Sequence, residues 1–248
     1  MNFQKRKHFI FQELDSKGEV DIKQLSSELE SSEITIRRDL NQLAADGLLF
    51  RTHGGAMKVN PLEVPHQFVN KSAVNVRAKD AICRRAAKEI VDGDIIFLDC
   101  GSTVFRLCQF IKNKKIKVIT NSIPVIFELQ NSEVKLNIIG GEFDAERQAV
   151  HGNIASEHIS RYRATKAFVG VDGISEKGLF GHSEKEAAIT LAMAAQSSCT
   201  YLLCDESKIG KESYLKFAKP NLMNAIVTNC SASKMTKYRK QGIKIIEA

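Results

Sequence analysis

No stretch of this sequence approaches the roughly 20 consecutive apolar residues that a membrane-spanning helix requires. The opening MNFQKRKHFIFQEL has basic residues but no apolar core followed by a small-residue cleavage site, so no signal peptide is expected there. The six cysteines (Cys83, Cys100, Cys108, Cys199, Cys204 and Cys230) form no CxxC pair and sit in separate, mostly apolar surroundings. That pattern fits reduced thiols in a cytoplasm better than a disulfide framework or a zinc site. Prolines number four, two of them within residues 60–72, and no short repeat or low-complexity tract interrupts the chain. What is present is globular: 43% hydrophobic and 26% charged residues over 248 positions, enough for one large or two ordinary domains.

Positive charge is also missing where it would first be sought. The net charge of +7 suggests a nucleic-acid partner, yet residues 1–60 hold nine Lys/Arg against nine Asp/Glu. The whole excess, 27 against 20, belongs to residues 61–248. If the N-terminal segment grips DNA, the placement of its charges must do so, not their total.

That segment is patterned. Residues 4–16 place Phe9, Ile10 and Leu14 at helical spacing before a break at Ser16-Lys17-Gly18. A second helix is expected from Asp21, whose carboxylate can cap it while Gln24 reaches back; Ile22, Leu25 and Leu29 give it one apolar face. A third follows Ser32 as N-cap, with Glu33 at the positive end of the dipole and Gly47 just past its end. LLFRTHGGAMKV then reads as two short strands turning at Gly54-Gly55. Three helices and a hairpin within residues 1–59 are the layout of a winged helix-turn-helix. Residues 60–74, with little periodicity, are the expected linker.

The third helix has two faces. With Ile36 at the centre of one, Leu40 and Leu43 return to within about 40° of it and should pack inward. Ile34, Arg38 and Asn41 then fall on the far side, flanked by Thr35 and Arg37. Arginine bonds guanine bidentately, asparagine does the same to adenine, and isoleucine touches a thymine methyl. Thr35 suits a phosphate or base and Arg37 a backbone phosphate, while Arg51 and His53 on the hairpin reach toward a neighbouring groove or phosphate. The plain alternative is a solvated face with ordinary ion pairs to Asp39 and Asp46.

Beyond residue 75 the pattern changes. Short apolar runs (95–99, 117–120, 136–139, 167–171, 201–204, 225–228) alternate with stretches of helical period (77–91, 103–112, 183–196, 231–241). Residues 75–248 therefore read as an α/β domain with a mainly parallel sheet covered on both faces. The runs end on Asp99, Asn121, Gly140-Gly141, Asp172-Gly173, Asp205 and Asn229, and the carboxyl ends of parallel strands form the ligand crevice of such a sheet. After Asp99 and Cys100, Gly101-Ser102-Thr103 opens a stretch with Val104, Leu107 and Ile111 at helical spacing, an arrangement suited to an anion. Lys208, just past another strand end, is placed to neutralise it. His151 and His158 have no Cys or His at metal-ligand spacing, so packing or surface roles are expected for them, and neither metal nor cofactor is expected. Cys100 is expected to be a small buried filler.

TIRRDLNQLAADGLLFRTHGGA, through its Ser-x-x-Thr-Ile-Arg-Arg-Asp-Leu core and His-Gly-Gly-Ala turn, resembles the N-terminal signature of the DeoR family of bacterial transcriptional regulators. Residues 75–230 resemble that family's effector domain in DCGST, VITNS, IIGGE, the GVDG turn and DESKIG, a domain similar to ribose-5-phosphate isomerases. The resemblance implies a repressor that reads a double-stranded operator as a homodimer or higher oligomer under a phosphorylated sugar. It implies phosphate contacts from Gly101, Ser102 and Thr103, and a sugar pocket lined by Asp99, Thr120, Asn121, Gly140, Gly141, Asp172 and Lys208. The isomerases carry an Asp-Gly-Ala-Asp-Glu turn where this chain has Val169-Gly170-Val171-Asp172-Gly173. One acid of three remains, so binding without turnover and no catalytic residue are expected. An isomerase with an appended DNA-binding head, or a head used for protein contacts, are the alternatives.

Overall fold

Helix α1 (Phe3–Lys17) turns Ile10 and Leu14 inward, into the core of the smaller unit. The computed structural model describes residues 3–45, 49–52, 54–58, 71–72 and 74–248. Two compact units emerge, Met1–Val76 and Arg77–Ala248. In the first, strand β1 (Glu19–Asp21) leads into α2 (Ile22–Glu28), and α3 (Glu33–Ala45) is followed by β2 (Leu49–Arg51) and β3 (Gly55–Lys58). Asp21 caps α2, its Oδ1 accepting from the N–H groups of Lys23 and Gln24 at 2.8 and 3.2 Å. Gln24 does not reach back: its side chain donates forward to Glu28 at 2.9 Å. Ile36, Leu40 and Leu43 of α3 are fully buried beside Ile22, Leu25 and Leu49.

The hairpin is in fact a three-stranded antiparallel sheet in the order β1-β3-β2. Glu19-Val20-Asp21 is too short to show a period, and only its pairing with Gly55–Met57 makes it a strand. This pairing explains Gly55. A Cβ there would lie 1.8 Å from the Val20 carbonyl oxygen, whereas one on Gly54 would meet nothing closer than Asp21 Oδ2 at 3.5 Å. The expected helix stop at Gly47, the residue His53, and nearly all of the expected linker lie outside the described residues.

The larger unit holds seven parallel strands: β4 (Ile95–Leu98), β5 (Lys117–Thr120), β6 (Lys135–Ile138), β9 (Ala164–Val169), β12 (Ser197–Leu203), β14 (Ala225–Thr228) and β15 (Lys244–Glu247). Two small antiparallel elements accompany them, the pair β7 (Glu142–Asp144) and β8 (Ala149–His151), and the sheet of β10 (Gly173–Ser175), β11 (Gly178–Gly181) and β13 (Leu215–Ala218). Alternation along each strand fills two cores. Ile96, Leu98, Phe168, Tyr201, Leu203 and Val227 face one side, and Phe97, Ala167, Val169, Leu202 and Ile226 the other. Helix α4 (Val76–Ala86) with the short turns α5 (Ser102–Phe105) and α6 (Cys108–Ile111) and helix α7 (Ile123–Leu129) covers the first core. The second lies beneath α8 (Asn153–Ser160), α9 (Glu184–Ala195) and α10 (Ala232–Arg239). The helical stretch expected over 103–112 is thus two single turns.

Strand order is β15-β14-β12-β9-β4-β5-β6. The chain builds outward from β4 through β5 to β6, then returns to β9 on the other side of β4 and builds outward again. Connections leaving β4 and β9 therefore diverge, and the crevice between their carboxyl ends is the topological switch point where open parallel sheets hold ligands. Among the described residues no helix is long and apolar enough to cross a membrane.

Candidate functional site

On the smaller unit, burial divides α3 as its sequence predicts. Ile34 is 79% exposed, and Arg37, Arg38 and Asn41 are exposed beside a half-buried Thr35. An isoleucine this open on a helix anchored by three fully buried neighbours has no packing role there. Thr35 Oγ1 lies 3.0 Å from Ser32 Oγ, which also accepts from the Thr35 N–H. Arg37 bonds Glu33 one turn back at 3.3 Å. Asp39 is not a partner for its neighbours on the exposed face: it is buried and pairs with Arg6 of α1. Arg51 lies in β2, paired with Ala56; His53 lies outside the described residues.

On the larger unit, the switch point brings Asp99, Gly101 and Gly170 together. The buried Asp99 carboxylate accepts from the N–H of Cys100 at 2.6 Å and of Gly170 at 3.3 Å, so it ties the loop after β4 to the loop after β9. Burial pushes its pKa up, and these backbone donors oppose that shift. Gly101 faces Gly170 so closely that a Cβ would sit 3.5 Å from the Gly170 Cα. It precedes α5, whose first turn no side chain caps. A single turn cannot satisfy the N–H groups of Ser102 and Thr103 internally, so they are left for another acceptor.

Ser102 has a partner that periodicity did not reveal. Lys79, on α4, is only 4% exposed and donates to Ser102 Oγ at 3.3 Å. Burial lowers its pKa to about 8; the nearby Asp205 charge raises it, and the Lys208 and Arg106 charges lower it further. Arg106 is itself held bidentately by Asp80 at 2.6 and 2.8 Å. Lys208 is half-buried in a short turn capped by Asp205. Lys79 thus reaches the loop of small residues, and Lys208 lies near enough to Lys79 for its charge to be felt. Lys79 was detectable in the sequence: with Ile82, Cys83 and Ala86 three, four and seven residues on, it occupies the apolar face of an amphipathic helix.

The other expected pocket residues fall into two groups. Thr120 is fully buried, donating to the Leu98 carbonyl at 2.7 Å and accepting from the Ser122 N–H at 3.1 Å; it stitches β5 to β4. Gly140 donates its N–H to His158 Nδ1, and Gly141, at φ +150°, lies so close to β8 that a Cβ would sit 2.7 Å from the His151 carbonyl oxygen. Asn121 and Asp172 have more open chemistry. Asn121 donates to the Val150 carbonyl at 2.9 Å, but its Oδ1 is buried with no hydrogen-bond partner, as are Ser122 Oγ and His151 Nδ1 close by along the same contact with β8. Asp172 Oδ2 lies 2.7 Å from His182 Nδ1, and His182 Nε2 lies 2.8 Å from Ser213 Oγ, two contacts that no local pattern announced. Cys100 is buried and its pKa is driven well up by that burial and by Asp99, so it is no reactive thiolate.

A family model described as the DeoR-like helix-turn-helix domain matches residues 6–61, and one described as the DeoR C terminal sensor domain matches residues 74–230. The lactose phosphotransferase system repressor of Lactococcus lactis subsp. lactis is 35% identical over 236 residues, covering 92% of this chain and 92% of that protein. A Bacillus subtilis protein named as an uncharacterized HTH-type transcriptional regulator, FruR, is 31% identical over 245 residues, covering 98% of each. Among solved structures, the chain is similar to ribose 5-phosphate isomerase A from Methanocaldococcus jannaschii, with a TM-score of 0.41 and 20% identity over 54% of this chain and 55% of that one.

Proposed function

This chain belongs to the DeoR family of DNA-binding transcriptional regulators, and on that premise we propose that it is a cytoplasmic repressor whose larger domain senses a phosphorylated sugar without converting it. The buried Lys79 carries the reading. The buried ammonium group under the Ser102 hydroxyl, with the Asp205 and Lys208 charges nearby and the uncapped first turn of α5 beside it, makes a cluster of donors suited to an anion. Gly101, Ser102 and Thr103 take the phosphate with Lys79 and Lys208. Asn121 and Asp172 take sugar hydroxyls, while Asp99, Thr120, Gly140 and Gly141 hold the surrounding loops in register. A relative named as a lactose phosphotransferase system repressor supports a phosphorylated sugar as the ligand.

The head docks α3 in a major groove through Ile34, Arg38 and Asn41, with Thr35, Arg37, Arg51 and His53 toward the phosphates, and two heads of a homo-oligomer read paired half-sites. Ligand acts by favouring one arrangement of the oligomer over another.

Isomerisation needs a base beside the carbonyl and groups to manage the enediolate. The turn that follows β9 supplies Asp172 alone, already engaged with His182. A thermal-shift screen of pentose and hexose phosphates, a turnover assay on any hit, and operator binding with and without it test the reading together. A hit that shifts melting and operator affinity but is recovered unchanged supports it. Turnover, or a hit indifferent to DNA, overturns it.

A further inference from the structure

Cys100 follows β4, His151 ends β8, and Glu186 lies in the first turn of α9, yet the three side chains meet. Their donor atoms all lie within 4.8 Å of one another, and Cys100 Sγ is 4.0 Å from His151 Nε2. The sequence has no hint of this, because the ligand spacing is long-range and only the folding of two strand ends against α9 brings it about.

His151 is the informative member. A neutral imidazole has one donor and one acceptor nitrogen, and a ring only 1% exposed normally has both in use. Here Nδ1 has no partner, and Nε2 meets a sulfur at the outer limit of contact. A soft thiol, an imidazole kept neutral by burial and a carboxylate are the donor types of a zinc site with three protein ligands and an open fourth position.

We propose that Cys100, His151 and Glu186 bind a divalent transition metal of the zinc class. Bond lengths of about 2.0–2.3 Å in a tetrahedron require donor atoms somewhat under 4 Å apart, so small side-chain rotations complete the site. Binding displaces the Cys100 thiol proton to solvent; thiolate and carboxylate offset the dication, and the Asp99 charge beside Cys100 is opposed by that of Arg147 beside Glu186. Arg147 Nη1, 3.1 Å from Glu186 Oε1, supplies positive charge to that carboxylate when no metal is bound and gives way to the ion. Cys100 directly precedes Gly101, so an ion held there fixes the start of the Gly101–Thr103 turn.

The test uses the full chain, stripped with chelator and titrated with Co2+ as a spectroscopic stand-in for Zn2+. The expected result is one equivalent per chain, a thiolate-to-cobalt charge-transfer band, d–d absorption of tetrahedral intensity, and displacement by Zn2+. Cys100→Ser removes the charge-transfer band. Glu186→Gln, at a half-buried position where folding is less at risk, weakens binding by on the order of tenfold or more. No charge-transfer band in the wild type overturns the proposal, as does a band that survives Cys100→Ser or disappears instead in Cys204→Ser or Cys230→Ser. Unchanged affinity in Glu186→Gln overturns it even if the cysteine variant does not fold.

Discussion

The Arg6 guanidinium on the first helix meets the Asp39 carboxylate on the third, Nε to Oδ2 at 2.5 Å and Nη2 to Oδ1 at 3.2 Å, both side chains largely buried. The pair fixes how α3 sits on α1, and so which residues of α3 face outward. Removing one partner strands the other charge in the core of the head. Asp39→Ala should cost about 3 kcal/mol or more. Hydrogen exchange should then show faster exchange at α1 and α3 amides, and DNA affinity should fall although Asp39 touches no DNA. Unchanged protection in α1 would show that the pair holds nothing.

The two adjacent glycines of the hairpin should respond differently. Gly55→Ala drives a Cβ into the Val20 carbonyl and separates β1 from β3, at a cost of about 3 kcal/mol or more. Gly54→Ala meets only ordinary contact and should change stability by less than about 0.5 kcal/mol. Urea melts of the two variants compare them directly. Equal losses would mean that the turn, not the close approach of β1, demands glycine.

Arg38→Ala should leave melting unchanged, because the side chain is exposed on α3. Binding to duplexes selected by the wild type from a randomised pool should weaken roughly tenfold to a hundredfold, as loss of a bidentate base contact implies. Preference at one base position should relax at the same time. Loss of affinity uniform across all sequences would move Arg38 to the phosphates.

Phosphate binding should depend on Lys79 and on pH with a definite sign. Its folded-state pKa, about 8, lies below the ordinary lysine range, so the unfolded chain holds the proton more tightly. The free protein should therefore gain stability as pH rises from about 8 toward that range. Binding runs the other way. An anion favours the ammonium form, so affinity should fall above pH about 8, by up to tenfold per pH unit. Calorimetric titration with the phosphorylated hit across pH 7–9.5 checks this, and Lys79→Met should both weaken binding and flatten the profile. A flat wild-type profile would remove Lys79 from the site.

Much of the site's chemistry was visible as residue types but not as geometry. Gly101-Ser102-Thr103 and Lys208 stood out because small residues and a cation followed apolar runs. Lys79 was hidden among the basic residues of its helix, although its place on the apolar face marked it. Thr120 and Asp99 stood out as polar residues at strand ends, but not the hydrogen bonds by which their hydroxyl and carboxylate tie loops and strands together. His151 looked like a packing residue, because local spacing cannot show that Cys100 and Glu186 approach it.

The sequence by itself determined most of the main helices, the apolar central strands and the divided face of α3, because helical and strand periods are local properties of side-chain direction and solvent preference. It also determined the chain's two-part character, through the change of period near residue 75. Tertiary structure alone decided the strand order, and with it the switch point where the loops after β4 and β9 part. It also decided the β1–β3 pairing, the contact of Lys79 with Ser102, and the meeting of Cys100, His151 and Glu186. These are long-range packing outcomes: each depends on which surfaces bury one another, and no single stretch of chain carries that information.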